Sequence, residues 1–472
     1  MKQPSNAQSR ARLPREMERN VLGGIVILAF VARYSLLDDL EFVTWDGAYY
    51  INFFRDEAWR WVFPPGYPML IEAVRLFVSD GVRAAQTVSL VFGSLLPIPF
   101  YYLSKKFLKP GLAFAAVLVV TFNPLMIRYG AISMSESAYL FFAVSAFALY
   151  VYGRMVPFGL AGGIAYLIRP EALVFFGLLM LILLFQKQFK PLLWGAIGFA
   201  VFAIPYVLHL RVETGTWTLT PKSMNIRVWE KDWKANVARE RMEVETSMSE
   251  AVKSAIQNYP WRFWEYSVRL FKYGGFPLVV VSLVGIYRYR NALLAGLAMF
   301  LLVPLFGLNP SERFVLQYFP FLAIFAMLAI QKAKWWWSGL LLTAVTLLSF
   351  LPTIRIAAQP DEEFPEMRET GRALQSVTQR TDVLWDRKPY TAFYAGGRFE
   401  MIPNEPLDTL LALFRAGRAR YLVLHQGVTR VFRPQLVPLL QDSRLVEQLG
   451  LREVLTYFPG TSREIRVLEV RR

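Results

Sequence analysis

The chain alternates between long apolar runs and short polar links, and this alternation restricts it to a helical bundle crossing a membrane many times. The runs fall at 21–37, 82–103, 111–127, 136–152, 158–168, 172–185, 191–210, 273–287, 293–308, 315–330 and 335–351. A helix needs roughly 20 apolar residues to cross the hydrocarbon layer, so the run 158–168 is unusually short for a full crossing. Every second link is basic: Lys105, Lys106 and Lys109, then Arg154, then Lys187 and Lys190, then Arg288 and Arg290, then Lys332 and Lys334. The tail 1–20 carries Lys2, Arg10, Arg12, Arg15 and Arg19. Basic residues collect on the cytoplasmic side. The pattern therefore predicts a polytopic α-helical protein of the cytoplasmic (inner) membrane with about eleven spans, N-terminus inside and C-terminus outside.

Composition narrows the chemistry. The chain has no cysteine and two histidines, His209 and His425. Disulfides, thiol nucleophiles and multi-histidine metal sites are excluded, and a Ser-His-Asp triad is poorly supported. The net charge of +16 resides largely in the basic links, which argues against nucleic acid as a partner. The first apolar run lacks a small-residue cleavage site and is followed by more spans, so it is not read as a removable leader.

The expected organisation is a cytoplasmic tail (1–20), a transmembrane domain (21–355) with long external loops at 38–80 and 211–270, and a soluble external domain (356–472). The segment 251–271 reads as an amphipathic interfacial helix interrupted at Pro260. In the last region, short apolar stretches at 383–385, 420–424 and 464–470 alternate with a helical pattern at 407–416, which predicts a small α/β fold.

Polar groups at the external ends of spans are the candidates for chemistry, because an ionisable residue at membrane depth is costly unless it works or is paired. In Trp45-Asp46-Gly47-Ala48-Tyr49-Tyr50 the carboxylate of Asp46 is either a general base or a helix N-cap. Tyr49, Tyr50, Arg55 and, after the Pro64-Pro65-Gly66 turn, Tyr67 would line a cavity beside it. Glu136 follows Ser133-Met134-Ser135. It is a second carboxylate, an oxygen ligand for a cation, or the acidic first turn of a serine-capped helix. Arg169-Pro170-Glu171 ends a short run, and irregular backbone there is tolerated only if buried or facing a cavity. Arg169 either pairs with Glu171 or faces a phosphate. Arg313, followed by Tyr318, lies at another external end and is either an interface anchor or a fork for phosphate oxygens. Arginines at 55, 60, 75, 83, 128, 169, 211 and 313 all fall on the external side, where the basic-inside pattern does not call for them.

These motifs occur in a familiar order: Asp46 with Tyr49 and Tyr50, then Pro64-Pro65 and Tyr67, Asn123-Pro124, the stretch ending at Glu136, Leu167 to Glu171, then Glu312-Arg313-Phe314 with Tyr318 and Pro320. Together they resemble the polyprenyl-phosphate-sugar-dependent glycosyltransferases of the GT-C class. Protein O-mannosyltransferases and the bacterial transferases that place aminoarabinose on lipid A are the relatives most alike in style. The resemblance spans roughly residues 20–355.

The resemblance implies an inverting transfer of a single sugar from a polyprenyl-phosphate donor, drawn from the membrane lipids, to an extracytoplasmic protein, lipid or glycan. It implies Asp46 and Glu136 as the catalytic carboxylates, Arg313, Arg169 and Tyr318 at the donor phosphate, and Tyr49, Tyr50, Arg55, Tyr67 and Glu171 around the substrate. No cofactor is required by it; a divalent cation, if one is used, falls to Asp46 and Glu136. Three positions depart from the pattern. Gly47 stands where many relatives have Glu, Phe63 where the lipid A enzymes have Lys, and Phe314 where Tyr is commoner. A lipid flippase, or an oligosaccharide ligase or polymerase, would use the same spans and external arginines. A flippase gives no reason for the two long external loops and the external domain.

Overall fold

The structure is a computed structural model describing residues 14–55, 63–220, 248–289, 311–331, 337–360 and 362–471. The chain divides into two compact units. One comprises Met1–Phe42, Val62–Met224 and Val252–Pro360; the other comprises Val43–Trp61, Asn225–Ala251 and Asp361–Arg472. The expected loop 38–80 is thus shared. Its middle, with Asp46, goes with the C-terminal unit, while its end forms helix α3 of the helical unit.

The helical unit begins with α1 (Arg15–Tyr34); α2 (Trp45–Asn52) belongs to the other unit. There follow α3 (Gly66–Arg75), α4 (Gly81–Leu95), α5 (Pro97–Phe107), α6 (Pro110–Thr121), α7 (Pro124–Arg128), α8 (Glu136–Val151), α9 (Met155–Ile168), α10 (Ala172–Phe185) and α11 (Phe189–Thr214). Helices Met248–Gln257 and Tyr259–Gly274 meet near Pro260, where the sequence places the interruption. Helices Phe276–Tyr289, Phe319–Ile330 and Ser338–Ser349 complete the set of apolar elements. Among the described residues, Gly81–Phe107, Phe189–Thr214 and Glu312–Ile330 are long and apolar enough to cross a membrane, and six further apolar helices are shorter. Apolar runs of the sequence coincide with these helices, except 293–308, which lies outside the described residues.

Two features show why this bundle packs as it does. The α9 and α11 backbones meet through glycines: a Cβ on Gly159 would lie 2.2 Å from the Gly195 carbonyl oxygen, and one on Gly198 would lie 2.4 Å from that of Val156. Small residues at this spacing let apolar helices pack where lipid supplies no hydrophobic drive between them. Arg33, near the end of α1, is 1% exposed. Its guanidinium donates to the carbonyls of Ala29 (2.9 Å), Thr121 (3.2 Å) and Met126 (3.2 Å), satisfying acceptors where α6 ends and α7 is short.

The C-terminal unit contains a five-stranded sheet in the order β2-β1-β3-β5-β4, with β1 (Val383–Asp386), β2 (Arg398–Met401), β3 (Tyr421–His425), β4 (Leu451–Tyr457) and β5 (Ile465–Val470). β1 runs parallel to β2 and β3, whereas β5 is antiparallel to both β3 and β4. Trp385, Leu410, Phe414, Leu422, Leu439 and Leu468 anchor its core. β1 ends at Asp386, from which a short loop leads into the helix Tyr390–Ala395, and β3 ends at His425, which itself caps the helix Gln426–Phe432.

Candidate active site

In the helical unit the short fifth run has a physical explanation. α9 stops at Ile168 because Arg169 precedes a proline, which disfavours helical backbone; Arg169 is extended at φ −147° and ψ 131°. The Pro64-Pro65-Gly66 turn lies directly against this break. A Cβ on Gly66 would sit 2.6 Å from the Leu167 carbonyl oxygen, so only glycine allows the approach. Two motifs a hundred residues apart in sequence are therefore one local structure.

The break aims Arg169 at two carboxylates. Its Nη1 donates to Glu136 Oε1 at 2.5 Å, and its Nη2 donates to Glu171 Oε1 at 3.2 Å. The side chains of Arg169 and Glu136 are 8% and 4% exposed. The guanidinium also lies 5.8 Å from the ring centroid of Tyr139 and 5.6 Å from that of Phe314. Ser135 occupies the cap position of α8 but its side chain makes no cap bond; its hydroxyl lies 3.5 Å from Arg169 Nη1. Glu136 is thus both the acidic first turn of α8 and an ion-pair partner, although Ser135 supplies no side-chain cap bond. A buried arginine bridging a buried carboxylate and a part-buried one is a costly arrangement that holds only with close hydrogen-bonded geometry.

Arg313 opens the turn of 3-10 helix Glu312–Tyr318, with its guanidinium 4.9 Å from the Phe314 ring. It belongs to the same electrostatic neighbourhood. Burial pushes the Tyr129 phenol up, the carboxylates of Glu312 and Glu136 push it further, and Arg313 opposes them. Tyr266 is likewise raised by burial, with Glu171 adding and Arg313 opposing. Tyr318 is buried at the end of the same turn.

Of the other arginines that the sequence pattern assigns to the external side, Arg75, Arg83, Arg128 and Arg211 have local partners. Arg83 pairs with Asp38 (2.5 Å) and Glu41 (2.6 Å), and Arg75 with Glu72 (3.0 Å). Arg128 donates to the carbonyls of Ala357 and Gln359 at the end of the helix Leu351–Ala358. Arg211 lies over Trp217. Arg55 is exposed, and Arg60 lies outside the described residues.

Tyr67 is placed differently from the expectation that it lines a cavity. It is fully buried, and its hydroxyl bonds the Ala85 carbonyl (3.0 Å) and Ser89 Oγ (2.8 Å), tying α3 to α4. Glu136 Oε2 is buried without a hydrogen bond among the described residues, but its other oxygen already holds a guanidinium. A hard dication takes six or more oxygens, and no group of three His, Asp or Glu with metal-binding proximity occurs among the described residues.

Asp46 lies in the C-terminal unit, in the first turn of α2. Thr44 is the N-cap, accepting the Gly47 N–H at 2.9 Å, so the cap role that Asp46 could have filled is taken. Tyr49 and Tyr50 are buried on the same helix.

No protein-family model matches the chain, and no curated protein matches it in sequence. Solved structures do. ArnT from Cupriavidus metallidurans in the apo state aligns with a TM-score of 0.63 at 12% identity, covering 96% of this chain and 99% of that one. The same protein bound to undecaprenyl phosphate aligns with a TM-score of 0.62 at 12% identity, covering 96% and 98%. This chain has the GT-C fold. It is a multi-pass membrane protein. An Archaeoglobus fulgidus oligosaccharyltransferase tethered to an acceptor peptide aligns with a TM-score of 0.50 at 13% identity, covering 94% and 73%.

Within this GT-C fold the structure brings together Glu136, Arg169, Glu171 and Phe314, with Arg313 in the same neighbourhood. It also shows residues that the sequence did not mark. Tyr139 stands one helical turn after Glu136, a spacing that would have placed it on the same face. Lys388 and Tyr390 follow the end of β1, where the signal was a basic residue and a proline closing an apolar strand.

Proposed function

We propose that the chain is an inverting glycosyltransferase of the cytoplasmic membrane that moves one sugar from a polyprenyl-phosphate donor to an extracytoplasmic acceptor. The observation that carries the reading is the alignment, over nearly the whole of both chains, with a structure bound to undecaprenyl phosphate. The buried Glu136–Arg169–Glu171 bridge supports it, because such a group at the mouth of an apolar bundle is costly without a task.

In this reading Asp46 takes the proton of the acceptor hydroxyl as its oxygen attacks the anomeric carbon. The bond from that carbon to the phosphate oxygen breaks, and the lipid phosphate leaves with the electron pair. Arg313 meets the charge growing on the phosphate, the kind of term that lowers such barriers most. Arg169 is committed to two carboxylates and serves chiefly to fix them; Tyr318 supports the turn that carries Arg313. The N-terminus is cytoplasmic, and the C-terminal unit is external.

The test is release of undecaprenyl phosphate by the full-length protein in lipid nanodiscs. The donors are a panel of undecaprenyl-phosphate-linked hexoses and pentoses, with envelope extract as acceptor. One donor is consumed, and Asp46→Asn slows its consumption by about 10²- to 10⁴-fold, the usual worth of a general base. Movement of an intact sugar-lipid across proteoliposomes, with no cleavage, would replace the reading with a flippase.

A further inference from the structure

The C-terminal unit grips the turn that carries Asp46. The Val43 N–H donates to Tyr394 Oη at 2.9 Å. Lys388 Nζ lies 3.9 Å from the centroid of the Trp45 ring, the residue immediately before Asp46. Glu363 orients that lysine: one carboxylate oxygen accepts from Lys388 Nζ at 3.0 Å, and the other accepts from Tyr390 Oη at 2.8 Å. The Phe364 ring is on the same ammonium, at 5.3 Å. The negative charge of Asp46 is felt at the Tyr390 phenol. The Lys388 side chain is only 13% exposed.

A lysine gains little by burying its ammonium unless the partner rewards it. A tryptophan face under a partly desolvated cation is the strongest such ring partner. Lys388 also has little freedom to move elsewhere. It follows Asp386 at the end of β1, and Pro389 starts the helix Tyr390–Ala395, which also supplies Tyr390 and Tyr394. Backbone position 43 and ring position 45 are therefore both attached to one short rigid element.

We propose that Lys388, oriented by Glu363 and assisted by Tyr394, is a positioning residue for Asp46, so that the soluble domain sets the geometry of the carboxylate in catalysis. This rests on the reading of Asp46 as the base. Plain domain packing would use the same contacts to hold the fold without affecting turnover, and the two differ in what a mild variant does.

The experiment compares Lys388→Met, Lys388→Arg and Tyr394→Phe in the full-length protein in nanodiscs. Amide hydrogen exchange is read over 43–52 and, as an internal control, over β1. Turnover of the active undecaprenyl-phosphate-linked sugar is read as kcat and KM separately. Lys388→Met is expected to speed exchange of 43–52 at least tenfold with β1 unchanged. It is expected to lower kcat about 10- to 100-fold, the scale of a small misplacement of a reacting group, with KM for the donor within about twofold. Lys388→Arg keeps the cation on the ring and restores both, and Tyr394→Phe gives a smaller change of the same kind. Exchange at 43–52 that is unchanged in Lys388→Met overturns the clamp whatever Asp46 does. Faster exchange with an unchanged kcat overturns the positioning role while leaving the contacts. Asp46→Asn with undiminished transfer overturns the base reading instead, a result the exchange data do not depend on.

Discussion

Arg169 reaches across the start of α8 to Glu136 at 2.5 Å while its other terminal nitrogen holds Glu171 at 3.2 Å. One guanidinium thus balances a buried carboxylate, Glu136, and a part-buried one, Glu171, and the balance is asymmetric. Glu136→Gln leaves Arg169 bridged to Glu171, whereas Arg169→Met leaves two carboxylates facing each other without it. Removing one partner of a buried pair costs about 3–5 kcal/mol. Arg169→Met should show a loss of that size in thermal or denaturant unfolding of the purified protein, and Glu136→Gln a smaller one. Adding Glu136→Gln to Arg169→Met should recover part of the loss; strict additivity of the two would show that the pair is not coupled.

The same geometry bears on metal dependence. A guanidinium on Glu136 Oε1 repels a dication, so turnover should be unchanged after treatment with EDTA and after addition of Mg²⁺ or Mn²⁺. Loss of activity with EDTA, restored by one of these ions, would show that Arg169 gives up Glu136 in the working enzyme.

Gly66 is fixed by its surroundings, since a methyl group there would meet the Leu167 carbonyl oxygen at 2.6 Å. Backbone cannot yield as a side chain can, and overpacking of this kind costs about 1–3 kcal/mol. Gly66→Ala should lower stability by that amount and shift Arg169, lowering turnover as well. A variant as stable and active as the parent would mean that the turn and the break are not in contact.

The C-terminal unit carries its own pH dependence. Burial pushes the Asp386 carboxyl up to about 7, against the pull of the Arg387 and Lys388 backbone N–H groups that it accepts. The unfolded chain has an ordinary value near 3.8, so the folded state holds the proton more tightly. Its stabilising effect is complete below about pH 4 and is lost as pH rises towards about 7, with a slope of up to about 1.4 kcal/mol per pH unit. Pulse proteolysis in urea, following the C-terminal fragment between pH 4 and pH 8, should show this fall. Asp386→Asn should flatten it; an unchanged slope in that variant would assign the dependence to another group.

Much of the bundle was legible in the sequence because lipid makes the rule simple: apolar runs become helices, and the break at Arg169-Pro170 is dictated by proline chemistry. The C-terminal sheet was legible only at its centre. β1, β3 and β5 are buried along nearly their whole length, whereas the two strands not anticipated, β2 and β4, are the more exposed edges. Edge strands carry charge, here Arg398, Glu400, Arg452 and Glu453, which suppresses pairing with other chains and hides them from an apolar pattern. The site was half legible. Charged residues at helix ends marked Glu136, Arg169, Glu171 and Arg313. The division of labour among them depends on distances across separate helices, and nothing in the spacing of Tyr67 foretold its bond to Ser89. For Lys388 the sequence offered only its place beside Pro389 at the end of an apolar strand, since its partner Trp45 is far away in the chain.

The most direct test of the central claim is the affinity of the purified protein for undecaprenyl phosphate, measured by native mass spectrometry against a phospholipid of similar mass. The account predicts selective binding of the polyprenyl phosphate, weakened about 10- to 100-fold in Arg313→Ala, as loss of a charge-assisted phosphate contact should do. Binding no tighter than that of the phospholipid, or unaffected by Arg313→Ala, would contradict it.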